Sequence, residues 1–230
     1  MPSPKEGSML PQHRFKPCTG AHGTLIAALG MAVLMTCLAI AAENAAERPE
    51  KWAAPIVLEG VPNLHKVSDT LYRSAQPTAE GMQNLKKLGV KTIVNLRSYH
   101  SDRAEIGETG LAYEHIYMKP WHPERKEIVR FLQIVTDPER APVLVHCQHG
   151  AYRTGTMSAI YRIAVQGWTK EEALREMREG GFGFHEVWMN LPDWIEELDI
   201  ESIKKDAGIE NVTGSAPQPD GADEQPANPR

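Results

Sequence analysis

Apolar residues along the chain fall into short runs that alternate with segments of helical spacing. Two runs rich in β-branched residues, VKTIVNLR (90–97) and PVLVHC (142–147), predict buried strands, and the runs at 70–77 and 113–118 predict two more. Between strands, apolar residues recur at i, i+3, i+4 and i+7, the spacing of one helix face. Such faces are formed by Ile128, Phe131, Leu132 and Val135, and by Met157, Ile160, Tyr161, Ala164 and Val165.

Residues that start and stop helices mark the ends of these segments. Thr78 is placed to cap a helix that Gly89 ends, and Pro123 suits the first helical position of the segment that follows it. Thr169 and Glu172 together form a capping box for a further helix. Because strands alternate with helices, right-handed crossovers are favoured. We therefore predict an α/β fold of three layers, with a mainly parallel central sheet flanked by helices.

Composition divides the chain into a folded part and ends of different character. Residues 45–59 are rich in alanine, proline and charged residues, and we predict a linker there. Residues 206–230 are rich in proline, glycine and acidic residues and bury too little apolar surface to offset the entropy of ordering. They are predicted to form a disordered tail. The folded domain is expected over residues 60–205.

An uncharged apolar segment precedes the predicted linker. Residues 24–42, TLIAALGMAVLMTCLAIAA, follow basic residues and end in small residues. This pattern predicts that residues 1–44 are a signal peptide or an N-terminal membrane anchor. In either form the rest of the chain would lie outside the cytoplasm, so we expect a periplasmic or exported protein. Contact with the inner membrane is expected only through residues 24–42.

Net charge and cysteine content narrow the range of partners and cofactors. The formal net charge is −5, which provides no basic surface for nucleic acid, so we expect no nucleic-acid partner. The three cysteines lie in unrelated contexts, and no disulfide framework is predicted. The histidines show no spacing typical of metal ligands, and no metal site is predicted. Arg73 and Arg97 could add positive potential near a pocket, but pairing with surface acids is the commoner arrangement.

The stretch HCQHGAYRTG (146–155) joins a predicted strand to a predicted helix. Backbone N–H groups at such a junction can converge on an anion, and glycine lets backbone and ligand approach closely. Cys147 on the axis of the helix dipole would then have a lowered pKa and act as a nucleophile, with Thr154 donating a hydrogen bond to its sulfur. His146 is expected to brace the loop. The predicted phosphate-binding residues are Gln148, His149, Gly150, Ala151, Tyr152 and Arg153, with the Arg153 guanidinium as a bidentate clamp.

This stretch resembles the HCxxGxxR[ST] loop of the cysteine-dependent protein tyrosine and dual-specificity phosphatases. The runs LYRSAQPTAEGMQNLKKLGVKTIVNLR and YRIAVQGWTKEEALREMREGGFG are similar to the bacterial exported branch of dual-specificity-type phosphatases. They resemble more distantly the atypical fungal and plant phosphatases that act on inositol pyrophosphates. The resemblance covers about residues 60–200 and implies a protein tyrosine phosphatase-like fold. It implies that Cys147 is the nucleophile, Arg153 the phosphate clamp and Thr154 the hydroxyl that assists breakdown of the intermediate, with no metal or organic cofactor.

The chain departs from the family at the general acid. Members usually carry an aspartate on the loop after the strand that is predicted to end near Met118, but this loop reads KPWHPERKE. A leaving alkoxide or phenoxide needs a proton from some group. Glu124 and His122 are the first candidates for this acid and Asp102 is the third. Alternatively, Glu124 and His122 only stabilise the start of a helix.

These observations leave three interpretations of function. The first is an exported phosphatase of phosphotyrosine in proteins, with phosphoserine and phosphothreonine as further substrates. The second is a small-molecule phosphatase that acts on an inositol polyphosphate or pyrophosphate, since a phosphoanhydride leaving group needs less protonation than an alcohol. The third is a phosphate-binding module that has lost catalysis, although such proteins usually lose the cysteine or the arginine of the loop.

Overall fold

A six-stranded sheet lies at the centre of the computed structural model, which describes residues 48–185 and 190–209. The strands are β1 (Ala54–Pro55), β2 (His65–Lys66), β3 (Leu71–Ser74), β4 (Thr92–Asn95), β5 (Ala112–His115) and β6 (Val143–His146). The helices are α1 (Ala79–Leu88), α2 (Arg103–Ile106), α3 (Arg125–Val135), α4 (Arg153–Ala164), α5 (Lys170–Glu179), α6 (Asn190–Glu197) and α7 (Ile200–Ala207).

The strand order is β1-β2-β3-β6-β4-β5, and the last four strands in this order are parallel. At the other edge, β1 pairs with β2 and β2 pairs with β3 in antiparallel orientation. Side chains that alternate along β6 enter two separate apolar cores, Val143 and Val145 on one face and Leu144 on the other. Helices α3 to α7 cover the first face, whereas α1 and α2 cover the second. The predicted three-layer α/β fold with a mainly parallel sheet is therefore confirmed.

Most predicted helix ends are confirmed. The Thr78 side chain accepts a hydrogen bond from the Gly81 N–H at 3.1 Å, and Gly89 ends α1 with a left-handed φ of 97°. Thr169 and Glu172 form the capping box of α5, with each side chain accepting from the other's backbone N–H at 3.1 Å.

Two element boundaries differ from the prediction. Helix α3 begins at Arg125 rather than at Pro123, because the Glu124 N–H donates to the Glu127 carboxylate at 2.8 Å and makes Glu124 the N-cap. Strand β5 ends at His115 rather than at Met118. Its neighbour β4 ends at Asn95, so residues 116–118 have no partner strand along which to continue.

The predicted limits of the domain are also wrong at both ends. Within residues 45–59, predicted to be a linker, two residues are buried against the folded domain: Trp52 is 7% exposed and Ala53 1%. The Ala53 N–H donates to the buried Glu176 carboxylate at 2.6 Å, and β1 adds a strand to the sheet. At the other end α7 runs past residue 205, and Ile209 is buried in the core. A few apolar residues are enough to anchor a polar segment to the core, and the average composition of the segment does not reveal them.

The predicted leader (1–44), Trp188 and residues 210–230 of the predicted tail lie outside the described residues. Within residues 48–185 and 190–209, no helix has both the length and the apolar character needed to cross a bilayer.

Candidate active site

The carboxyl ends of the four parallel strands are aligned at one edge of the sheet. Ser74 of β3 and Asn95 of β4 both pair with His146 of β6, and Asn95 pairs in turn with His115 of β5. Ligands of open α/β sheets bind beyond the carboxyl ends of the strands. Cys147 follows His146 directly, so the predicted nucleophile lies at this edge.

The loop between β6 and α4 turns its carbonyl groups toward the protein. Five consecutive carbonyls are engaged: Gln148 by the Gln76 N–H (3.3 Å), His149 by the Asn63 amide (3.0 Å), Gly150 by Arg73 (2.7 Å), Ala151 by the Gly155 N–H (3.1 Å) and Tyr152 by the Thr156 N–H (2.8 Å). In a planar trans peptide the N–H points opposite to the carbonyl before it. The N–H groups of residues 149–153 therefore point away from these partners, which leaves them available to an anion as in a backbone nest.

Cys147 lies at the floor of this nest and is 1% exposed. Burial alone would raise the pKa of its thiol, but four polar interactions together outweigh burial and lower the pKa. They come from the Thr154 hydroxyl, the Arg153 guanidinium and the backbone N–H groups of Thr154 and Gly150. The buried Thr154 hydroxyl has no other hydrogen-bond partner within the described residues, and its proximity to the sulfur is one of the interactions that lower the pKa of Cys147. These interactions favour the thiolate over the neutral thiol in a buried site.

Arg153 is the first residue of α4, and its guanidinium spans the edge of the sheet. Nη1 donates to the Leu96 carbonyl at 3.2 Å and to the Met118 carbonyl at 3.4 Å. Burial lowers the pKa of this guanidinium, whereas the negative charge on Cys147 raises it. The structure therefore brings together Cys147, Arg153 and Thr154, as predicted from their spacing.

Arg73 lies beside the phosphate loop, in agreement with the alternative that it adds positive potential near the pocket. Its side chain is buried, donates to the Gly150 carbonyl at 2.7 Å and lies 3.6 Å from the centre of the Phe182 ring. Burial lowers its pKa to about 10, so it remains charged at neutral pH. The predicted pairing of Arg73 with a surface acid is wrong, because β3 is an interior strand between β2 and β6. Arg97 likewise pairs with no acid in the described chain and donates to the Gln76 amide oxygen at 2.9 Å.

His146 is anchored from behind by Asp102. His146 Nε2 lies 2.6 Å from Asp102 Oδ2, and both side chains are fully buried. Gln76 Nε2 donates to Asp102 Oδ1 at 2.9 Å. Burial would raise the pKa of Asp102, but the hydrogen bonds and charge of His146 and the Gln76 bond lower it overall. A carboxylate held ionised carries no proton to donate, so this position argues against Asp102 as a general acid.

The other two general-acid candidates lie in the turn before α3. The Glu124 carboxylate pairs with Lys126 at 2.6 Å, which lowers its pKa. His122 is exposed, and its backbone N–H donates to the Lys119 carbonyl at 3.2 Å. Within the described residues, no hydrogen bond joins either side chain to the loop 147–153. A role for Glu124 or His122 as the acid stays a prediction.

A groove of about 580 Å³ lies beside the phosphate loop. It is lined by Asn63, His149, Tyr152, Gly181, Phe182, Gly183 and His185. The Tyr152 ring packs against Phe184 with 5.6 Å between ring centres, and the Asn63 amide bonds both the His149 and the Phe182 carbonyls at 3.0 Å. The groove is thus built jointly by the phosphate loop and the segment after α5.

Comparisons with known proteins agree with this geometry. The family model described as "DSP-PTPase phosphatase fused to NAD+ Kinase" matches residues 63–188. The dual specificity protein phosphatase TpbA of Pseudomonas aeruginosa is 36% identical over 184 residues, which are 78% of this chain and 82% of TpbA. The inositol diphosphatase DSP3 of Arabidopsis thaliana is 27% identical, over 65% of this chain and 76% of DSP3.

A solved structure extends the comparison to three dimensions. The crystal structure of a cysteine-to-serine variant of P. aeruginosa TpbA in complex with phosphotyrosine has a TM-score of 0.62 and 35% identity to this chain. The match covers 71% of this chain and 99% of that one. With the loop geometry, these matches show that the chain belongs to the dual-specificity protein phosphatases.

Proposed function

We propose that the protein hydrolyses phosphotyrosine in proteins, with phosphoserine and phosphothreonine as slower substrates. The observation that carries this proposal is a Cys147 thiol of lowered pKa at the floor of a ring of backbone N–H groups, with the Arg153 guanidinium beside it. The TpbA complex with phosphotyrosine supports the same substrate.

In the first step, Cys147 Sγ attacks phosphorus while the phosphate oxygens are held by the N–H groups of residues 149–153 and by Arg153. An S–P bond forms and the P–O bond to the tyrosyl oxygen breaks. The electron pair of the broken bond stays on that oxygen, which takes up a proton from solvent or from a nearby acid. Charge on the transferring group is stabilised by donors already in position.

In the second step, water attacks phosphorus of the phosphocysteine and the S–P bond breaks. Its electron pair returns to sulfur, which the Thr154 hydroxyl stabilises as a leaving group. The attacking water loses a proton to solvent or to a nearby base, and inorganic phosphate leaves. The interactions that lower the pKa of Cys147 thus assist both steps.

Two features favour phosphotyrosine over phosphoserine. Because Cys147 is only 1% exposed, a phosphate on the long aryl side chain of tyrosine reaches it more readily than one on serine. In addition, the Lys126 pair lowers the pKa of Glu124 and leaves little acid to protonate a leaving group. A phenol of pKa about 10 departs more easily without help than an alkoxide.

We expect matched phosphotyrosine and phosphoserine peptides to differ in kcat/KM by at least about 100-fold, the lower bound of a typical general-acid contribution. Aryl phosphates of graded leaving-group pKa would measure the dependence directly, for the parent, Glu124→Gln and His122→Ala. If the rate depends more steeply on leaving-group pKa in one variant than in the parent, the residue replaced in that variant is the acid. Three equal slopes would remove both candidates, and equal turnover of the two peptides would contradict the proposed preference.

A second candidate substrate is a pyrophosphorylated inositol. The loop 119–127 contains no aspartate, and a phosphoanhydride leaving group needs less protonation than an alcohol. The groove beside the phosphate loop offers His149 and His185 to further phosphate groups, and the resemblance to inositol diphosphatase DSP3 supports this substrate class. Turnover of phosphopeptides and of pyrophosphorylated inositols at equal concentration would separate the two candidates.

We propose also that the protein is exported, with residues 24–42 as a cleaved signal or as an inner-membrane anchor. The uncharged segment, the basic residues before it and the small residues after it support this proposal. Fractionation of cells that express the full chain, with N-terminal sequencing of the recovered protein, tests it. Recovery of the unprocessed chain from the cytosol would overturn it.

Gly150→Ala is expected to reduce kcat/KM by about 100-fold or more. Gly150 has a φ of 74°, and an added Cβ would lie 2.7 Å from the backbone atoms of Ser74 and Ala75. Because those atoms belong to β3 and the turn after it, the loop must move, and a 1 Å misplacement of catalytic groups costs about 100-fold. Steady-state kinetics on an aryl phosphate measure the loss.

Gly89→Ala is the matched control. Gly89 has a φ of 97° but no atom within 4 Å of an added Cβ, and it lies at the end of α1. The control should lose about 1 kcal/mol of stability and keep the activity of the parent. Equal activity of both variants would show that the loop tolerates a side chain at 150.

A further inference from the structure

We propose that His100, Asp102 and Glu105 form a binding site for a divalent transition metal ion of the Zn²⁺ type, behind the phosphate loop. One ligand atom from each side chain lies within 4.8 Å of the other two. His100 Nε2 is 3.4 Å from Asp102 Oδ1 and 3.3 Å from Glu105 Oε1. Two ligands of one tetrahedral zinc ion, each about 2.0–2.1 Å from it, are about 3.4 Å apart.

Two polar atoms of this cluster have no hydrogen-bond partner within the described part of the chain. His100 Nε2 and Glu105 Oε2 are buried, yet among the described residues neither has a hydrogen-bond partner. The imidazole nitrogen therefore lies near two carboxylate oxygens without aligning with either. Buried polar atoms are usually bonded, and an ion between the three groups would satisfy His100 Nε2.

Surrounding residues hold the cluster in place before any ion binds. The Asn95 amide donates to the His100 carbonyl at 2.8 Å, and the Asp102 N–H donates to the Tyr113 hydroxyl at 3.1 Å. Gln76 Nε2 donates to Asp102 Oδ1 at 2.9 Å. Such outer hydrogen bonds to ligand residues are typical of built metal sites, because they orient the ligands and raise affinity.

The donor set selects among ions. One imidazole nitrogen and two carboxylates suit Zn²⁺ and similar transition metals, whereas Ca²⁺ and Mg²⁺ prefer oxygen ligands alone. The two distances from His100 Nε2 are also nearer to tetrahedral spacing than to the spacing of about 2.9 Å between neighbouring ligands of octahedral Mg²⁺. The side chains of His100 and Glu105 are 30% and 26% exposed, so the cluster lies close to the protein surface.

Asp102 connects this site to the nucleophile. Its Oδ1 faces the cluster, while its Oδ2 lies 2.6 Å from His146 Nε2, next to Cys147 in the chain. An ion on Oδ1 leaves the contact of Oδ2 with His146 intact and fixes the carboxylate further. The bound metal would thus act as a structural clamp behind the phosphate loop. The histidines lack the mutual spacing of metal ligands, but this cluster combines one histidine with two acids within six residues.

The test is calorimetric titration of ZnCl₂ into the full chain carrying Cys147→Ser, which removes a competing thiolate. Glu105→Gln and His100→Ala are each compared with Glu108→Gln, an exposed acid near the cluster but outside it. We expect the first two variants to lose one Zn²⁺ per chain or to bind it at least about 10-fold more weakly, and the control to bind normally.

A thermal measurement gives a second readout. Free Zn²⁺ about 100-fold above its Kd should raise the Tm of the parent by about 5–10 °C, and the shift should vanish in Glu105→Gln. Should His100→Ala fail to fold, Glu105→Gln alone decides. Equal Zn²⁺ binding by the parent and Glu105→Gln, or no saturable binding by the parent, would overturn the proposal.

Discussion

Replacing Cys147 with serine is expected to abolish hydrolysis of phosphotyrosine peptides, with a loss in kcat of about 10⁴-fold or more. The hydroxyl of serine has a far higher pKa than the thiol, which its neighbours hold below the usual range, so no comparable nucleophile remains at the floor of the loop. Binding should persist, because the backbone N–H groups and Arg153 stay in place. Single-turnover kinetics and phosphopeptide titration measure the two effects separately.

The control uses the same substitution elsewhere in the chain. Cys18→Ser and Cys37→Ser, in the predicted leader segment, should leave kcat unchanged. A Cys147→Ser protein that keeps the activity of the parent would refute the proposed mechanism. A parent that binds phosphopeptides tightly without turnover would instead favour the interpretation as a binding module.

Replacing Arg153 with lysine is expected to lower kcat/KM by about 10²–10³-fold. Lysine keeps the charge but cannot present the planar pair of N–H donors that holds two phosphoryl oxygens. Loss of one oxyanion donor in other enzymes costs a similar factor. Steady-state kinetics on an aryl phosphate test this, with the exposed Arg178→Lys as the control that should behave as the parent.

Arg153→Met removes both the positive charge and the N–H donors of Arg153, so comparison with Arg153→Lys isolates the effect of the charge on Cys147. The Arg153 guanidinium lowers the pKa of Cys147, so removal of the charge should raise that pKa, whereas lysine should largely preserve it. A thiol of higher pKa is ionised only at higher pH, so alkylation by iodoacetamide should begin at higher pH in Arg153→Met than in Arg153→Lys. Coincident alkylation profiles in both variants would show that Arg153 does not control the thiol.

Local signals in the sequence were sufficient for the fold and for the core of the site. The apolar run VLVH marks a strand by its own composition, and Thr78 and Thr169 cap helices through residues three positions away. Residue type and spacing are therefore sufficient to locate them. The same holds for Cys147, Arg153 and Thr154, which occupy one continuous loop. Interactions within a few residues require no knowledge of the rest of the chain.

The parts that the sequence did not reveal depend on distant partners. Arg73 reaches Gly150 across 77 positions, and Asp102 reaches His146 across 44. Each contact exists only because the sheet order makes β6 the neighbour of both β3 and β4. The burial of Trp52 and Ala53 also depends on distant partners, since Ala53 bonds Glu176 and the Trp52 ring lies beside Arg175, both on α5.

The alignment of the four strand ends has an evolutionary consequence. Neighbouring strands are held about 4.8 Å apart by backbone hydrogen bonds, so the spacing of Ser74, His146, Asn95 and His115 is independent of loop length and of side-chain identity. Loops that leave this edge can therefore lengthen, shorten or change composition across descendants without displacing the reactive sulfur. Substrate choice can drift quickly while the bond-breaking step stays the same.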